Sequence, residues 1–548
     1  MNCKRYYDKI RLGVVAIAAT LAAVGCSDTW DNHYDAASTG DGSTIWSAIS
    51  QNSNLSNFAS VLKATGYDEI LSGSQVFTVF APTNDALSAS EAQAYIDLYN
   101  QYKSAGYKDE DNYTLKTFIK NHIALYNTSV SSYTNDSITM MNGKYETLTS
   151  SAVGGAAFTS QNALYSNGIL YTVSSLVPYN NNIFEAIQST EGLDSLSNFL
   201  YSYNVYEFDE SQSVAGEIVD GKTVYLDSVT ELTNKMLNAI GYIDREDSTY
   251  WMVAPTNDVW SRLYSQYEQY YNYDNSTSKR DSLIRVNTAL SIIGGTVFSM
   301  NTQGSLQDSA NSTNWTKRNY EYYKYLHPFA EGGVFNGTTN YTCSNGQLMV
   351  ANQWNIDPHL TFLRQIKVEG EATRYQKEIA NANEPLVVRT VPTNNPFYGK
   401  VSGNSFAVVE PVTSSSHPEV TYDIPNVLSN TPYDIYIVFA PAIAYDTLAT
   451  ADSRKPCKVR VTLGYNRQNG NVTTKALKAE DGGNLFYTQA NVVDTVLVGS
   501  SIEIPTCSYG LDEEQCYLRI VSYVKGEETA EYQKTMRIDC IIFKPHEE

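Results

Sequence analysis

The chain has 548 residues, of which 42% are hydrophobic and 18% are charged. This length corresponds to about three or four domains of ordinary size, and the composition excludes wholesale disorder. The 38 basic and 59 acidic residues give a formal net charge of −21. That charge disfavours nucleic-acid binding, because a polyphosphate ligand requires a basic face.

The N-terminus has the pattern of an export signal. Lys4 and Arg5 begin a basic segment, and residues 12–25 form an uncharged apolar run that is too short to cross a bilayer comfortably. The run ends in Ala-Val-Gly before Cys26, which resembles the bacterial lipoprotein box, in which this cysteine becomes the lipidated first residue. We therefore expect residues 1–25 to be a signal peptide and Cys26 to be the lipidation site. The alternative is an ordinary signal peptide followed by a chance cysteine.

Residues 26–43 are polar, acidic and rich in Gly and Ser, which is typical of a flexible tether. Asp28 and Asp31 resemble the early acidic residues that direct lipoproteins to the cell surface in bacteria with large outer-membrane nutrient-uptake systems. We expect an outer-membrane location, lipid-anchored and facing the cell exterior. The alternative is a solvated linker without such a signal.

An internal repeat organises the next part of the chain. Four short motifs recur in the same order, namely IWSAI at 45–49 and IFEAI at 183–187, LSNF at 55–58 and 196–199, APTND at 81–85 and 254–258, and SNG at 166–168 and 344–346. The shared order of the motifs predicts two copies of one domain. The growing offset between the copies predicts an insertion in the second copy.

Each copy has the pattern of a mixed α and β domain. In the first copy, apolar residues at helical spacing from Leu55 to Leu62 predict a helix that Gly66 ends. The β-branched and aromatic run 76–80 predicts a strand ended by Ala81-Pro82, and Thr83-Asn84-Asp85 is expected to cap a following helix. The Asn-Gly pair at 167–168 predicts a turn before a closing strand.

These copies resemble fasciclin domains. The segments FTVFAPTNDAL (77–87) and SNGILYTVSSLVP (166–178) are similar to the two signatures of that family, and Asn121-His122 stands where the family usually has Tyr-His. The second copy matches through WMVAPTNDVW (251–260) and SNGQLMVANQWNIDP (344–358).

The resemblance implies fasciclin-like domains at 44–179 and 180–368, the second divergent and carrying the insertion. It implies an α+β fold with a small β-wedge packed by helices. It also implies adhesion or extracellular binding without catalysis.

Residues 369–548 have a different pattern. Apolar and polar residues alternate at 458–463 and at 536–542, and further strand-like runs occur at 434–439 and 496–504. Half-buried antiparallel strands at this spacing predict a β-sandwich. It resembles the jelly-roll modules that are appended to surface glycan-handling proteins.

No motif with a catalytic pattern is found in the sequence. The segment GEIVDGKT (216–223) matches a phosphate loop letter for letter, but Asp220-Gly221 between two β-rich runs favours a hairpin turn, so nucleotide binding is not expected. The six histidines lack the spacing of a zinc site, and His122 is interpreted as a structural residue. We therefore expect no catalytic residue, no cofactor and no metal ion.

Two residue types are left open. Cys343, Cys457, Cys507, Cys516 and Cys540 could form one or two disulfides or remain buried thiols. The 43 tyrosines suit sugar stacking or protein interfaces, but they suit the covering of amphipathic helices as well. No ligand-binding residue is identified.

The sequence thus predicts a surface-exposed, lipid-anchored binding or adhesion protein. Its expected partner, besides the membrane, is a glycan or an outer-membrane transporter protein. The alternatives are a glycan-degrading enzyme centred on the C-terminal β-sandwich and a structural accessory subunit of an outer-membrane nutrient-uptake complex.

Overall fold

The structure, a computed structural model, describes residues 42–208, 214–219, 222–227, 230–301, 303–315 and 322–547. Cys26 and the predicted export signal lie outside the described residues, as do Asp220 and Gly221. Within the described ranges, none of the helices has both the length and the apolar character needed to cross a membrane. The chain forms two compact units, divided between Asn180 and Asn181, which we describe separately.

The described residues of the first unit form four α-helices and a seven-stranded sheet. The helices are α1 Ile45–Gln51, α2 Ser56–Thr65, α3 Tyr67–Ser72 and α4 Ala89–Ser104. The strands are β1 Phe77–Pro82, β2 Ile123–Leu125, β3 Asn135–Thr139, β4 Tyr145–Thr149, β5 Ala152–Val153, β6 Ala156–Tyr165 and β7 Gly168–Val173. They lie in the order β2-β1-β7-β6-β5-β4-β3.

The predicted helix and strands of the first copy form as expected. Helix α2 buries Phe58, Val61 and Leu62, and Gly66 ends it in the left-handed conformation with a φ of 77°. Strand β1 is buried along its whole length and runs parallel to β7. It continues through Pro82, because this residue lies at the end of the strand, where the missing N–H donor costs little.

The described residues of the second unit begin with five α-helices and several small sheets. The helices are α5 Ile183–Ser189, α6 Asp194–Tyr201, α7 Lys235–Ile240, α8 Asn257–Tyr267 and α9 Arg280–Ile293. The strands are β8 Asn204–Phe208, β9 Val214–Val219, β10 Lys222–Asp227, β11 Thr230–Asn234, β12 Tyr250–Pro255, β13 Val297–Ser299, β14 Ser309–Trp315, β15 Tyr322–Leu326, β16 Thr339–Cys343 and β17 Gly346–Ala351. Strands β13-β12-β17-β16 form one sheet, and β8–β11, β9–β10 and β14–β15 form two-stranded pairs.

The SNG motif and the strand against which it lies have the same local geometry in both units. Strand β12 runs parallel to β17 as β1 does to β7, and each pairing places a strand carbonyl directly against a glycine. A Cβ on Gly168 would lie 1.9 Å from the Phe77 carbonyl oxygen, and one on Gly346 would lie 1.7 Å from that of Tyr250. Both glycines have a φ of 141°, so the SNG motif requires glycine on two grounds.

The asparagine of each SNG motif hydrogen-bonds the first residue of the helix that begins its copy of the repeat. Asn167 Oδ1 accepts the Ile45 N–H at 2.8 Å, and Asn345 Oδ1 accepts the Ile183 N–H at 2.9 Å. The Nδ2 group of each asparagine donates to two backbone carbonyls of the segment before the central strand, at 2.8 to 2.9 Å.

The APTND motif caps a helix other than the one expected. Asn84 Oδ1 accepts the Asn57 N–H in the first turn of α2 at 3.1 Å, and Asn257 Oδ1 accepts the Ser195 N–H in the first turn of α6 at 2.9 Å. The helix after the first motif is capped instead by Ser88 through a capping box. The motif therefore ties the central strand to an earlier helix.

The C-terminal part of the second unit is all-β. Its strands are β18 Ile366–Glu369, β19 Gln376–Ala380, β20 Val387–Thr390, β21 Ser405–Val409, β22 Glu419–Asp423, β23 Pro432–Phe439, β24 Lys458–Asn466, β25 Val472–Ala476, β26 Phe486–Tyr487, β27 Asp494–Glu503, β28 Cys516–Ser522 and β29 Met536–Pro545. They form two six-stranded sheets, one ordered β20-β21-β29-β23-β27 with β18 on β29, the other β19-β22-β28-β24-β25 with β26 on β24. Apolar side chains of both sheets share one core, so the predicted α+β fold followed by an all-β sandwich is confirmed.

One strand differs from its prediction. Strand β29 was expected to be half-buried, yet eight of its ten residues are buried, including Arg537 and Asp539. The reason is its position, since it pairs with β18, β21 and β23 and is covered on both faces.

Candidate functional site

The second unit contains a cavity of about 470 Å³, within the size range of small-molecule sites. It lies where helices α7 and α9 meet loops of the β-sandwich. Its lining residues are Asn238, Ala239, Tyr271, Leu283, Val286, Asn287, Leu290, Ser291, Gly294, Thr313, Tyr323, Thr361, Phe362, Asn426, Tyr509 and Gly510.

Aromatic rings form one wall of this cavity. The Tyr271 ring lies 6.3 Å from that of Phe362 and 5.7 Å from that of Tyr509, the latter in an edge-to-face arrangement at 79°. The Tyr323 ring adds a further face, with the Arg364 guanidinium 5.7 Å from its centroid. The Tyr271 and Phe362 rings are 1% and 6% exposed, so the partly exposed rings of Tyr323 and Tyr509 present most of the aromatic surface to the cavity.

The remaining lining groups are amides, hydroxyls and aliphatic chains. Asn426 Oδ1 accepts the Gly510 N–H at 3.0 Å, and the Thr313 hydroxyl donates to the Ile240 carbonyl at 2.8 Å. None of the described lining residues carries a charged side chain. The lining itself therefore favours a neutral ligand, and the charge described nearest to it is the Arg364 guanidinium on the Tyr323 ring.

The buried Tyr273 hydrogen-bonds residues on two sides of the cavity. Tyr273 is fully buried; its hydroxyl accepts from Asn287 Nδ2 at 2.7 Å and donates to the Tyr509 carbonyl at 2.7 Å. Burial raises the pKa of Tyr273 far above its usual value, so the hydroxyl stays protonated. This contact joins helix α9 to the sandwich loop that carries Tyr509 and Gly510.

His122, the histidine of the fasciclin resemblance, lies in the core of the first unit. Its Nδ1 donates to the Phe118 carbonyl at 2.8 Å, and its Nε2 accepts the Val177 N–H at 3.0 Å. The ring is 1% exposed, and desolvation lowers the pKa of His122 to about 4. Both ring nitrogens are satisfied by the neutral imidazole, which supports a structural role.

The structure also describes the surroundings of the phosphate-loop match and of the five cysteines. Strands β9 and β10, on either side of Asp220-Gly221, pair antiparallel, whereas a phosphate loop joins a strand to a helix. The cysteines whose state the sequence does not decide are buried thiols outside any disulfide, namely Cys343, Cys457, Cys507, Cys516 and Cys540. Burial raises the pKa of the Cys457 thiol to about 11, so it is not an activated nucleophile.

Among the described residues, one group of carboxylates and a thiol is spaced closely enough to hold a metal ion, namely Glu369, Asp539 and Cys540. The Asp539 carboxylate accepts the Ser402 N–H at 3.0 Å. Desolvation, with a smaller contribution from the Glu369 charge, raises the pKa of Asp539 to about 7. Lys367 Nζ lies 3.0 Å from Glu369 Oε1 and offsets part of this negative charge.

Little in the amino-acid sequence indicates the cavity. Tyr271 belongs to the tyrosine-rich segment after the second APTND motif, but its neighbours in the wall, Phe362 and Tyr509, lie far away in the chain. The tyrosine enrichment was the available signal. It did not distinguish Tyr271 and Tyr273 from tyrosines that merely cover a helix.

Three of the solved structures that are similar to this chain illustrate the likeness. The FAS1 domain pair of the insect cell adhesion molecule fasciclin I has 11% identity and a TM-score of 0.20, covering 57% of this chain and 99% of its own. The CBM22-1 xylan-binding domain of Paenibacillus barcinonensis Xyn10C has 11% identity and a TM-score of 0.20, covering 33% and 95%. Paenibacillus xanthan lyase has 12% identity and a TM-score of 0.19, covering 38% and 17%.

No curated protein sequence matches the chain. Residues 53–178 match the family model of the Fasciclin domain. This range holds the first copies of the APTND and SNG motifs, whose geometry is described above. The chain therefore contains a fasciclin domain within its first compact unit.

Proposed function

We propose that this protein is a lipid-anchored binding protein of the cell surface that holds a neutral sugar and catalyses no reaction of its own. The fasciclin domain supports a binding role. The sugar is inferred from one observation, the cavity of about 470 Å³ in the second unit, which combines aromatic faces with neutral amide and hydroxyl groups. Sugars present apolar C–H faces and hydroxyl rims, and such a wall complements both.

The sugar proposal is tested by titrating the purified chain with a panel of neutral mono- and disaccharides and measuring the heat of binding. Ala239→Trp adds a ring to the cavity wall and removes no hydrogen bond, so we expect it to weaken binding at least tenfold. Tyr133→Ala is the matched control, because Tyr133 is 93% exposed in the first unit. Equal binding by the chain and by Ala239→Trp, or no binding to any sugar of the panel, would contradict the assignment.

The lipid anchor is a separate part of the proposal and rests on Cys26 and the small residues before it. Several acyl carbons on one residue supply stable anchoring. We expect the wild-type chain to fractionate with the outer membrane and to be cleaved by protease added to intact cells. Cys26→Ser should move it to the soluble fraction, and unchanged membrane partitioning of this variant would refute the anchor.

A protein partner in the outer membrane is the second expected kind of ligand. Co-purification of an outer-membrane transporter with the anchored chain at fixed stoichiometry would support it. That result is independent of the sugar titration, which uses the soluble chain alone.

A further inference from the structure

Another cavity opens at one side of the β-sandwich, where both sheets end. Strand β27 is the last strand of one sheet, and β25 is the last strand of the other. The cavity has a volume of about 440 Å³ and is lined by residues 475–480 on one side and by Leu497, Gly499, Ser500 and Ile502 on the other. This volume is within the range of small-molecule sites.

The apolar part of this lining is aliphatic. Leu477 and Ile502 are 1% and 8% exposed, and they meet at Gly499, where a Cβ would lie 2.8 Å from Ile502 Cγ1 and 3.6 Å from Leu477 Cδ1. The half-buried Leu497 and Ala479 present more of their surface to the cavity. None of the described lining residues has an aromatic ring or an amide side chain. The lining therefore suits an alkyl chain better than a sugar, which would find no ring to stack on.

The wall that β27 contributes is fixed in an irregular conformation. The register between β27 and β23 shifts between Tyr433 and Tyr436, and Ser501 has a φ of 50°. Asp434 Oδ1 accepts the Ser501 N–H at 2.9 Å and the Ser500 hydroxyl at 3.1 Å. A bulge re-aims the side chains of its strand, and a non-glycine residue keeps a positive φ only where its surroundings hold it. The wall is therefore formed without a ligand.

Lys475 supplies the charge that faces this cavity. It pairs with Leu463 of β24, which lies in the core shared by the two sheets, so Lys475 leaves its strand on the core-facing side. Its side chain is exposed, and among the described residues no carboxylate lies within 4.0 Å of its ammonium group. Lys478 and Glu480 also line the cavity, and their opposite charges offset each other. The lining thus combines an aliphatic surface with one net positive charge.

We propose that this cavity binds a medium-chain fatty acid, with the alkyl chain along Leu497 and Ala479 and the carboxylate beside Lys475. In a chain with a net charge of −21, an unpaired lysine at the edge of an aliphatic cavity is a local positive group that favours an anionic head. The alkyl chain supplies the apolar area that a short carboxylate lacks. No described residue lines both this cavity and the one proposed to bind a sugar, so the two proposals are independent.

The test is calorimetric titration of the purified full chain with octanoate and with acetate at low ionic strength. We expect octanoate to bind and acetate not to bind. Lys475→Glu should weaken octanoate binding about tenfold, because an attraction becomes a repulsion, and Lys475→Arg should restore it. Lys400→Glu is the matched control, since Lys400 is exposed on the same sandwich. No octanoate binding, equal binding of acetate, or equal octanoate affinity in wild type and Lys475→Glu would each overturn the proposal.

A second measurement locates the ligand without any variant. Crystals of the wild-type chain soaked in 8-bromooctanoate should show an anomalous bromine peak in contact with the Leu497 or Ala479 side chain. A peak found only in the cavity that contains Tyr323 and Tyr509, or no peak at all, would overturn the proposal.

Discussion

The neutral state of His122 makes the stability of the first unit depend on pH. Nε2 accepts the Val177 N–H at 3.0 Å, and protonation of Nε2 would place two N–H groups against each other. Desolvation lowers the pKa of His122 in the folded chain to about 4, against an ordinary value of about 6.5. The unfolded chain therefore binds a proton between these two values while the folded chain does not.

The size of the effect follows from this difference. The contribution of the neutral His122 to the free energy of unfolding is fully present above about pH 6.5. It is lost as the pH falls toward the pKa of His122 in the folded chain. At about 1.4 kcal/mol per pKa unit, the full loss is about 3 kcal/mol, and about 2 kcal/mol is lost between about pH 8 and about pH 5.

The assay is urea denaturation of the whole chain with pulse proteolysis, in which the bands of the first unit report its unfolding. His122→Gln should lower the free energy of unfolding at about pH 8, because it loses packing against Phe118. It should also reduce the drop between about pH 8 and about pH 5 by about 2 kcal/mol. His359→Gln, an exposed histidine of the second unit, should leave the first unit's transition unchanged. The reasoning is refuted if wild type and His122→Gln lose the same free energy on acidification.

Three further outcomes are expected. Gly168→Ala should destabilise the first unit by at least about 3 kcal/mol in the same urea assay, because the new Cβ collides with the backbone. The control Gly143→Ala meets no atom within 4 Å and should cost about 1 kcal/mol through its positive φ alone. Similar losses in the two variants would contradict the register of β1 and β7. Tyr273→Phe should lower the free energy of unfolding of the second unit by about 1–3 kcal/mol and speed amide exchange at 505–511, whereas Tyr133→Phe should change neither. The five described cysteines should be unreactive toward Ellman's reagent in the folded chain and all react in urea; reaction in the folded chain would contradict their burial.

The elements of the fold were predictable where the determining residues are close in sequence. The β-branched run of β1, the glycine after α2 and the alternation along β24 each specify local structure with a period or a turn residue. The repeated motifs extended this to the second copy. The prediction that the APTND motif caps the following helix is wrong, because Asn84 accepts the Asn57 N–H and so caps a helix that lies earlier in the chain.

The sites were less predictable, since they depend on contacts that no spacing encodes. The cavity wall joins Tyr271 to Phe362 and Tyr509, which come from separate loops. In strand β29, alternating residues suggested one solvated face. Arg537 instead became buried when neighbouring strands and loops covered that face.

The Tyr273 contact has a consequence for how a bound ligand would act on the protein. The cavity wall is built from both the α/β part and the sandwich part of the second unit, so neither part alone retains the complete wall. Occupancy would be linked to the intact assembly of residues 181–548. A saturating ligand should therefore merge any separate melting of these two parts into one cooperative transition at a higher temperature.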